Sequence, residues 1–265
     1  MKNPIALLPM YDWPEILDAT NDYWNALREA LADQGFASPQ LLTRPEDPFL
    51  LWRSPELLIA QTCGLPYVEQ LSTEVSLIGT PAYDIDCGAG SYFSVIAVHN
   101  DSNIETCADL NGATFGYNDP LSQSGAAAFF SHLHTSGISV NKIGGFERVM
   151  SHRNAIRQLS ERKVDVIAID AVSWELAKRY ERNVAALRVI GQTTPTPGLP
   201  YITFHRPKTE VDRIHHAVIE AIASLPSSKR EALLLTGLAA TTIADYQCIK
   251  SRFDMVRDTM SACLR

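Results

Sequence analysis

Three stretches of this chain are too continuously apolar to lie on a surface, and each runs into a polar turn and then a helical pattern. They are residues 57–61, 113–117 and 164–170, followed by turns at 62–67, 118–125 and 170–174. A short apolar run of this kind is the mark of a strand buried on both faces. Strands alternating with helices give an α/β protein with mainly parallel sheets. Residues 91–99 read as a further strand with both faces apolar, hence a central one. In such sheets ligands bind outside the carboxyl ends of the strands. The turns expected there are 9–13, 61–64, 118–125, 151–152 and 170–174, every one polar or aromatic.

The rest of the chain fills in that frame. Strands are predicted at 5–9, 40–43, 75–81, 146–150, 187–191 and 201–205. Helices are predicted at 15–32, 125–134, 151–159, 172–180, 210–224, 227–235 and 243–264. Asp12 is placed to cap the first helical turn, which Pro14 suits. Residues 193–200 read as extended and Pro-rich.

Bulk properties exclude several classes. At 265 residues the chain can hold one large domain or two lobes. A net charge of -7 argues against a nucleic-acid partner. No apolar run reaches the roughly 20 residues a membrane span needs, so no direct membrane insertion is expected. The first ten residues do not read as a signal peptide but as the first strand, which predicts a cytoplasmic protein as written and a periplasmic one if the start is trimmed or misassigned. The five cysteines, Cys63, Cys87, Cys107, Cys248 and Cys263, show no zinc-ligand spacing and read as reduced thiols, a Cys63–Cys87 bridge being the alternative. No metal and no cofactor is expected. His132 and His134 do not share a helical face, nor do His215 and His216. Cys63 has no local basic partner to activate it as a nucleophile.

Residues 118–125 (Asn-Asp-Pro-Leu-Ser-Gln-Ser-Gly) carry the most chemistry. A strand precedes them and a helix follows. A helix start presents backbone N–H groups without intrahelical partners and a partial positive charge. Ser122 and Ser124 add hydroxyl donors, and Gly125 allows close approach to the backbone. The arrangement suits an oxyanion. Equally, a serine there can serve only as the helix cap. Asp170, at the end of an apolar strand, reads as a cap for the next helix or as the partner of a cation. His152, at a helix start, reads as an anion donor or a surface residue. Tyr11, Trp13 and Trp174 read as walls of a ligand cleft or as core, and Thr62 as a polar contact.

The ordered set resembles a known family. Leu110-Asn111-Gly112, a strand, the 118–125 turn, Ser151-His152 opening a helix, the 164–170 strand with Trp174 behind it, and Pro197-Gly198-Leu199-Pro200 are similar to the phosphate/phosphonate substrate-binding proteins of ABC transporters. The Gln61-Thr62-Cys63-Gly64 turn and Tyr92 also fit. The resemblance implies the two-lobed type II periplasmic-binding-protein fold, its lobes joined by two crossing strands. Lobe one would be 1–96 plus 203–265, lobe two 97–202, with hinge closure on a ligand held in the cleft. It implies that Ser122, Ser124 and the Gly125 backbone hold anion oxygens, that His152 donates another hydrogen bond, that Tyr92 reaches in, and that Asp170 stands where aminophosphonate binders carry an acidic residue that meets an ammonium group. It further implies a non-enzymatic binding protein with a small anionic ligand and an ABC permease as partners; the sequence leaves the oligomeric state open, a monomer being favoured. Two other readings stay open: a cytoplasmic sensor or carrier of another small organic ligand, and an enzyme on the same fold related to thiamine-precursor synthesis, whose Cys-rich motif is absent here.

Overall fold

The structure is a computed structural model and describes residues 3–264. Contacts divide the chain into two compact units, Met1–Ser91 with Pro197–Gln247, and Tyr92–Thr196 with Cys248–Arg265. The sequence reading set the changeovers a few residues later and kept 248–265 with the first lobe.

The first unit is built on a five-stranded sheet. Its strands are β1 (Ile5–Leu7), β2 (Leu57–Gln61), β3 (Val75–Tyr83), β11 (Tyr201–Phe204) and β12 (Leu235–Ala239), numbered in chain order and arranged β1-β2-β11-β3-β12. Every residue of β2 is buried, as its apolar run requires. Helices α1 (Leu17–Asp33) and α6 (Lys208–Ser224) lie together over the sheet. Tyr23, Trp24, Leu27 and Leu31 of α1 recur at helical spacing and form one face, which meets Ile214, Ala217, Val218 and Ala221 of α6. Two shorter helices, α2 (Gly64–Pro66, continued by a π-turn, Tyr67–Leu71) and α7 (Ser227–Ala232), link the strands.

The second unit holds another five-stranded sheet, ordered β7-β6-β8-β5-β9. The chain enters through β4 (Ser91–Tyr92) into β5 (Ser94–His99), then continues through β6 (Thr114–Tyr117), β7 (Gly145–Arg148), β8 (Val166–Asp170) and β9 (Leu187–Gln192), and leaves at β10 (Thr196–Pro197). Helices α3 (Ala128–Thr135), α4 (His152–Ser160) and α5 (Ala171–Tyr180) connect the strands. Phe115 of β6 stacks on Phe129 of α3 with ring centroids 3.9 Å apart, and Phe130 stacks on Phe146 of β7. These rings tie the helix behind the 118–125 turn to its own sheet. The final helix, α8 (Ile243–Cys263), contributes its later residues to this unit.

Several expectations are corrected. The sheets are mixed rather than mainly parallel: β1–β2, β6–β7 and β6–β8 are parallel, whereas β11 and β12 in the first sheet and β5 and β9 in the second pair antiparallel. A run is continuously apolar because both faces are buried, whichever way its neighbours point. No strand forms at 40–43, where prolines at 39, 45 and 48 limit pairing and one bond, from the Thr43 N–H to the Ala6 carbonyl, is made at 2.8 Å. The helix predicted at 227–235 stops at Ala232. Leu234 takes a left-handed φ of 55°, and β12 follows along the edge of β3. Asp12 caps nothing and pairs with Arg44. The five cysteines are free thiols, so only the alternative Cys63–Cys87 bridge is set aside.

Candidate functional site

The second unit gathers three of the expected residues at the carboxyl ends of its strands. Ser124 follows β6, His152 opens α4 after β7, and Asp170 ends β8. The Ser124 Oγ lies 2.9 Å from His152 Nε2, and Asp170 Oδ2 lies 3.2 Å from the same nitrogen. Ser124 and Asp170 are buried, and the imidazole is nearly so.

Each member is held by local structure. Asp170 Oδ1 accepts the Ser173 N–H at 2.9 Å, so this carboxylate caps α5 and meets the histidine with its other oxygen. Ser151 caps α4 by accepting the Asn154 N–H, and the Asn154 side chain returns to the Val149 carbonyl. Between β7 and this cap, Met150 adopts φ 67°, an uncommon backbone state for a non-glycine residue, and this turn starts α4 at His152. Ser124 is fixed from behind by Ser94 of β5, whose hydroxyl donates to the Ser124 carbonyl at 3.0 Å. The Ser94 N–H in turn donates to Thr193 Oγ1 at 2.9 Å.

The charge state follows from burial. Desolvation pushes the His152 pKa down, against an upward pull from the Asp170 carboxylate, so the ring is neutral near pH 7. A carboxylate only accepts, so the hydrogen between them belongs to Nε2. The Ser124 hydroxyl cannot donate to a nitrogen that already carries a hydrogen, and its own proton is left to donate elsewhere. His152 Nδ1 is then a buried acceptor with no partner among the described residues. This is not a nucleophilic relay. There the serine and the carboxylate occupy opposite ring nitrogens, whereas here both meet Nε2.

The turn itself begins with a π-turn, Gln123–Ala127, before α3 becomes regular. Ser122 is its cap: its Oγ accepts the Gly125 N–H at 3.0 Å. The Gly125 N–H is thus engaged within the turn. Gly125 is needed for packing, since a Cβ there would come within 2.0 Å of the Asn118 side-chain oxygen, which accepts the Asp119 N–H.

Tyr92 is buried in β4, and Trp174 is buried in the first turn of α5. Tyr11 and Thr62 belong to the first unit. There Tyr11 packs edge-on against Tyr83 at 5.2 Å, and both line a recess with Tyr23, Tyr201 and Gln61. Gln61 donates to the Tyr83 hydroxyl at 2.9 Å. Thr62 sits just past β2, fully buried, and its Oγ1 has no hydrogen-bond partner among the described residues. Sequence reasoning missed Ser94 and Thr193, and it placed Asn118 and Gln61 in ligand-end turns without giving either a role of its own. Ser94 carried a usable signal, a hydroxyl in a strand whose two faces are otherwise apolar. Among the described residues no group of three or more His, Cys, Asp or Glu side chains is arranged to hold a metal ion, and no helix is long and apolar enough to cross a membrane.

Comparison with known proteins agrees with this architecture. Solved structures similar to the chain include a Xanthomonas citri protein bound to chloride (16% identity, TM-score 0.73, 97% of this chain and 100% of that one). A binding component of a phosphonate ABC transporter from Pseudomonas aeruginosa matches at 16% identity and TM-score 0.74, over 98% of this chain and 88% of that one. PhnD1 of Prochlorococcus marinus, solved in complex with methylphosphonate, matches at 14% identity and TM-score 0.74, over 96% and 98% of the two chains. These likenesses show the type II periplasmic-binding-protein fold. No curated protein sequence matches the chain. Residues 53–247 match the family model described as the periplasmic substrate-binding protein of phosphonate ABC transporters, and the chain therefore belongs to that family of phosphonate-binding proteins.

Proposed function

We propose that the chain captures a phosphonate in the periplasm for an ABC permease, without chemical conversion, and that the turn carrying Ser122 and Ser124 receives the oxyanion. The observation that carries this reading is the Ser124–His152–Asp170 cluster, in which the Ser124 hydroxyl proton is left to donate outward. Gly125 contributes through the turn it shapes, and Tyr92, Trp174, Tyr11 and Thr62 are proposed as further contacts.

The cluster also bears on which anion is taken. A buried carboxylate beside an oxyanion repels a fully ionised ligand. It accepts from a ligand that brings its own hydrogen. A monoprotonated phosphonate, or an aminoalkyl phosphonate offering an ammonium group, has that hydrogen near neutral pH; a sulfonate or sulfate does not. Asp170 therefore favours phosphorus oxyacids over sulfur ones.

A thermal-shift and calorimetric panel tests the reading, with phosphate, phosphite, sulfate, methylphosphonate, 2-aminoethylphosphonate and several carboxylates run on the wild type and Ser124→Ala. A ligand at 100 times its dissociation constant adds about 2.7 kcal/mol of apparent stability. The expected result is stabilisation by a phosphorus oxyanion that weakens in the variant. Stabilisation by sulfate equal to that by methylphosphonate, and lost in Ser124→Ala, would remove the role given to Asp170. Silence across the panel from a folded protein would leave Ser122 and Ser124 as structural residues.

A further inference from the structure

Helix α3 has two faces of different character. Phe129, Phe130 and Leu133 are buried among the rings and strands of the second unit. On the other face, Ser131, His132 and Thr135 keep helical spacing but are polar, and with Gln123, Thr193 and Arg252 they line a recess of about 290 Å³, its open mouth included. Polar side chains on an exposed stripe need no explanation. This stripe is different, because Ser131 and Gln123 are buried and His132 is largely covered.

The recess has one charge of its own. Arg252 of α8 is held by its Nη1, which donates to the carbonyls of Thr194 at 3.2 Å and Pro195 at 3.1 Å. Among the described residues no carboxylate pairs with it, and none lines the recess. A guanidinium carries five N–H donors, so Nε and Nη2 keep theirs for another acceptor. The His132 ring makes no hydrogen bond or ion pair among the described residues. Its pKa is pushed down by burial, so near pH 7 it offers one N–H and one acceptor. A fixed, uncompensated guanidinium beside neutral donors is chemistry for an anion with several oxygens, which the planar fork can meet with two parallel bonds.

We propose that this recess is a second site, distinct from the Ser124 turn, for a small tetrahedral oxyanion, with Arg252 as its charged partner and His132 as a neutral donor. It shares a wall with the first site. Gln123 precedes Ser124 in the chain, and Thr193 accepts from Ser94, whose hydroxyl holds the Ser124 carbonyl.

The test is a titration of the intact protein with sodium sulfate, and separately with inorganic phosphate, at constant ionic strength. The readout is the His132 ring resonances in NMR, assigned with His132→Gln. A saturable shift of His132 is expected in the wild type and equally in Ser124→Ala, which separates this site from the proposed phosphonate turn. The midpoint should weaken at least about tenfold in Arg252→Gln, as for loss of a charge-assisted contact, and less in Arg252→Lys. Absence of saturation at about fifty times a millimolar dissociation constant would overturn the proposal. So would an unchanged midpoint in Arg252→Gln, or loss of the shift in Ser124→Ala. Should Arg252→Gln lose its cooperative unfolding transition, Ser131→Phe decides instead. That change fills the recess and leaves Arg252 in place, so it should abolish the shift; a surviving shift would refute the site.

Discussion

The strand ends of the two units solve different problems. In the second unit, Ser122, Ser124, His152 and Asp170 are polar, buried and joined by hydrogen bonds to one another or to helix starts. In the first, Tyr11, Tyr23, Tyr83 and Tyr201 surround Gln61 in an aromatic recess, and the Thr62 hydroxyl is buried without a partner among the described residues. Buried polar groups normally find partners. One unit thus fixes its donors in advance, which suits a small charged group whose position must be exact. The other gathers aromatic rings around one amide, the kind of lining on which apolar atoms pack.

Four changes would break or sharpen this contrast. Phe115→Ala should have the largest effect. Phe115 is fully buried and stacked on Phe129 of the helix behind the turn, so global stability should fall by about 3–5 kcal/mol in urea unfolding. A loss below about 1 kcal/mol would show that the turn does not lean on the rings. Next, Ser124→Ala should weaken methylphosphonate binding about tenfold to a hundredfold by calorimetry with little change in Tm, since a hydrogen bond to a charged group is worth about 1.5–3 kcal/mol. A drop in Tm with unchanged affinity would make Ser124 a structural residue.

The third effect is an acid sensitivity of the second unit. Burial depresses the pKa of His132 and His152 in the folded state. Below the ordinary histidine value of about 6.5 the unfolded chain binds more protons than the folded one, so stability falls as pH drops through that value and levels off below the folded pKa. Each group contributes at most about 1.4 kcal/mol per pH unit in that window. Unfolding curves between pH 7.5 and 5 should show the decline, and His152→Gln should flatten it. A slope unchanged in the variant would mean His152 titrates normally. The smallest effect belongs to Thr62→Val. Removing an unpartnered buried hydroxyl should raise stability by up to about 1 kcal/mol, with an unchanged urea m-value. Lower stability would show that the hydroxyl is bonded after all.

The contrast was only partly visible in the sequence. β2 and β8 were legible because full burial leaves an apolar run that no surface tolerates, and the caps at Ser122 and Asp170 followed from residue type and place. β12 was not. Its Leu- and Ala-rich stretch has helical propensity, and only the open edge of β3 makes it a strand. The meeting of Ser124, His152 and Asp170 depends on three strand ends far apart in the chain, so sequence could name the members without showing that two of them share one nitrogen. The packing role of Gly125 was hidden for a similar reason. Its close neighbour is the Asn118 side chain, seven residues earlier by number and adjacent only because the turn folds back.

The π-turn at Gln123–Ala127 has a last consequence. It places one residue more in its loop of chain than an α-turn would. With 3.6 residues per turn, each residue rotates a helix by about 100°. The extra residue therefore acts as a key that sets the rotational phase of α3 relative to the serines ahead of it. Deleting a single residue there would keep the composition of the segment and its hydrophobic content nearly intact. It would also turn the phenylalanines away from their sheet, or the serines away from His152. Chain length at this spot is as much a part of the proposed recognition surface as any side chain on it, and homologues that bind at the same turn should tolerate substitutions there far more readily than insertions or deletions.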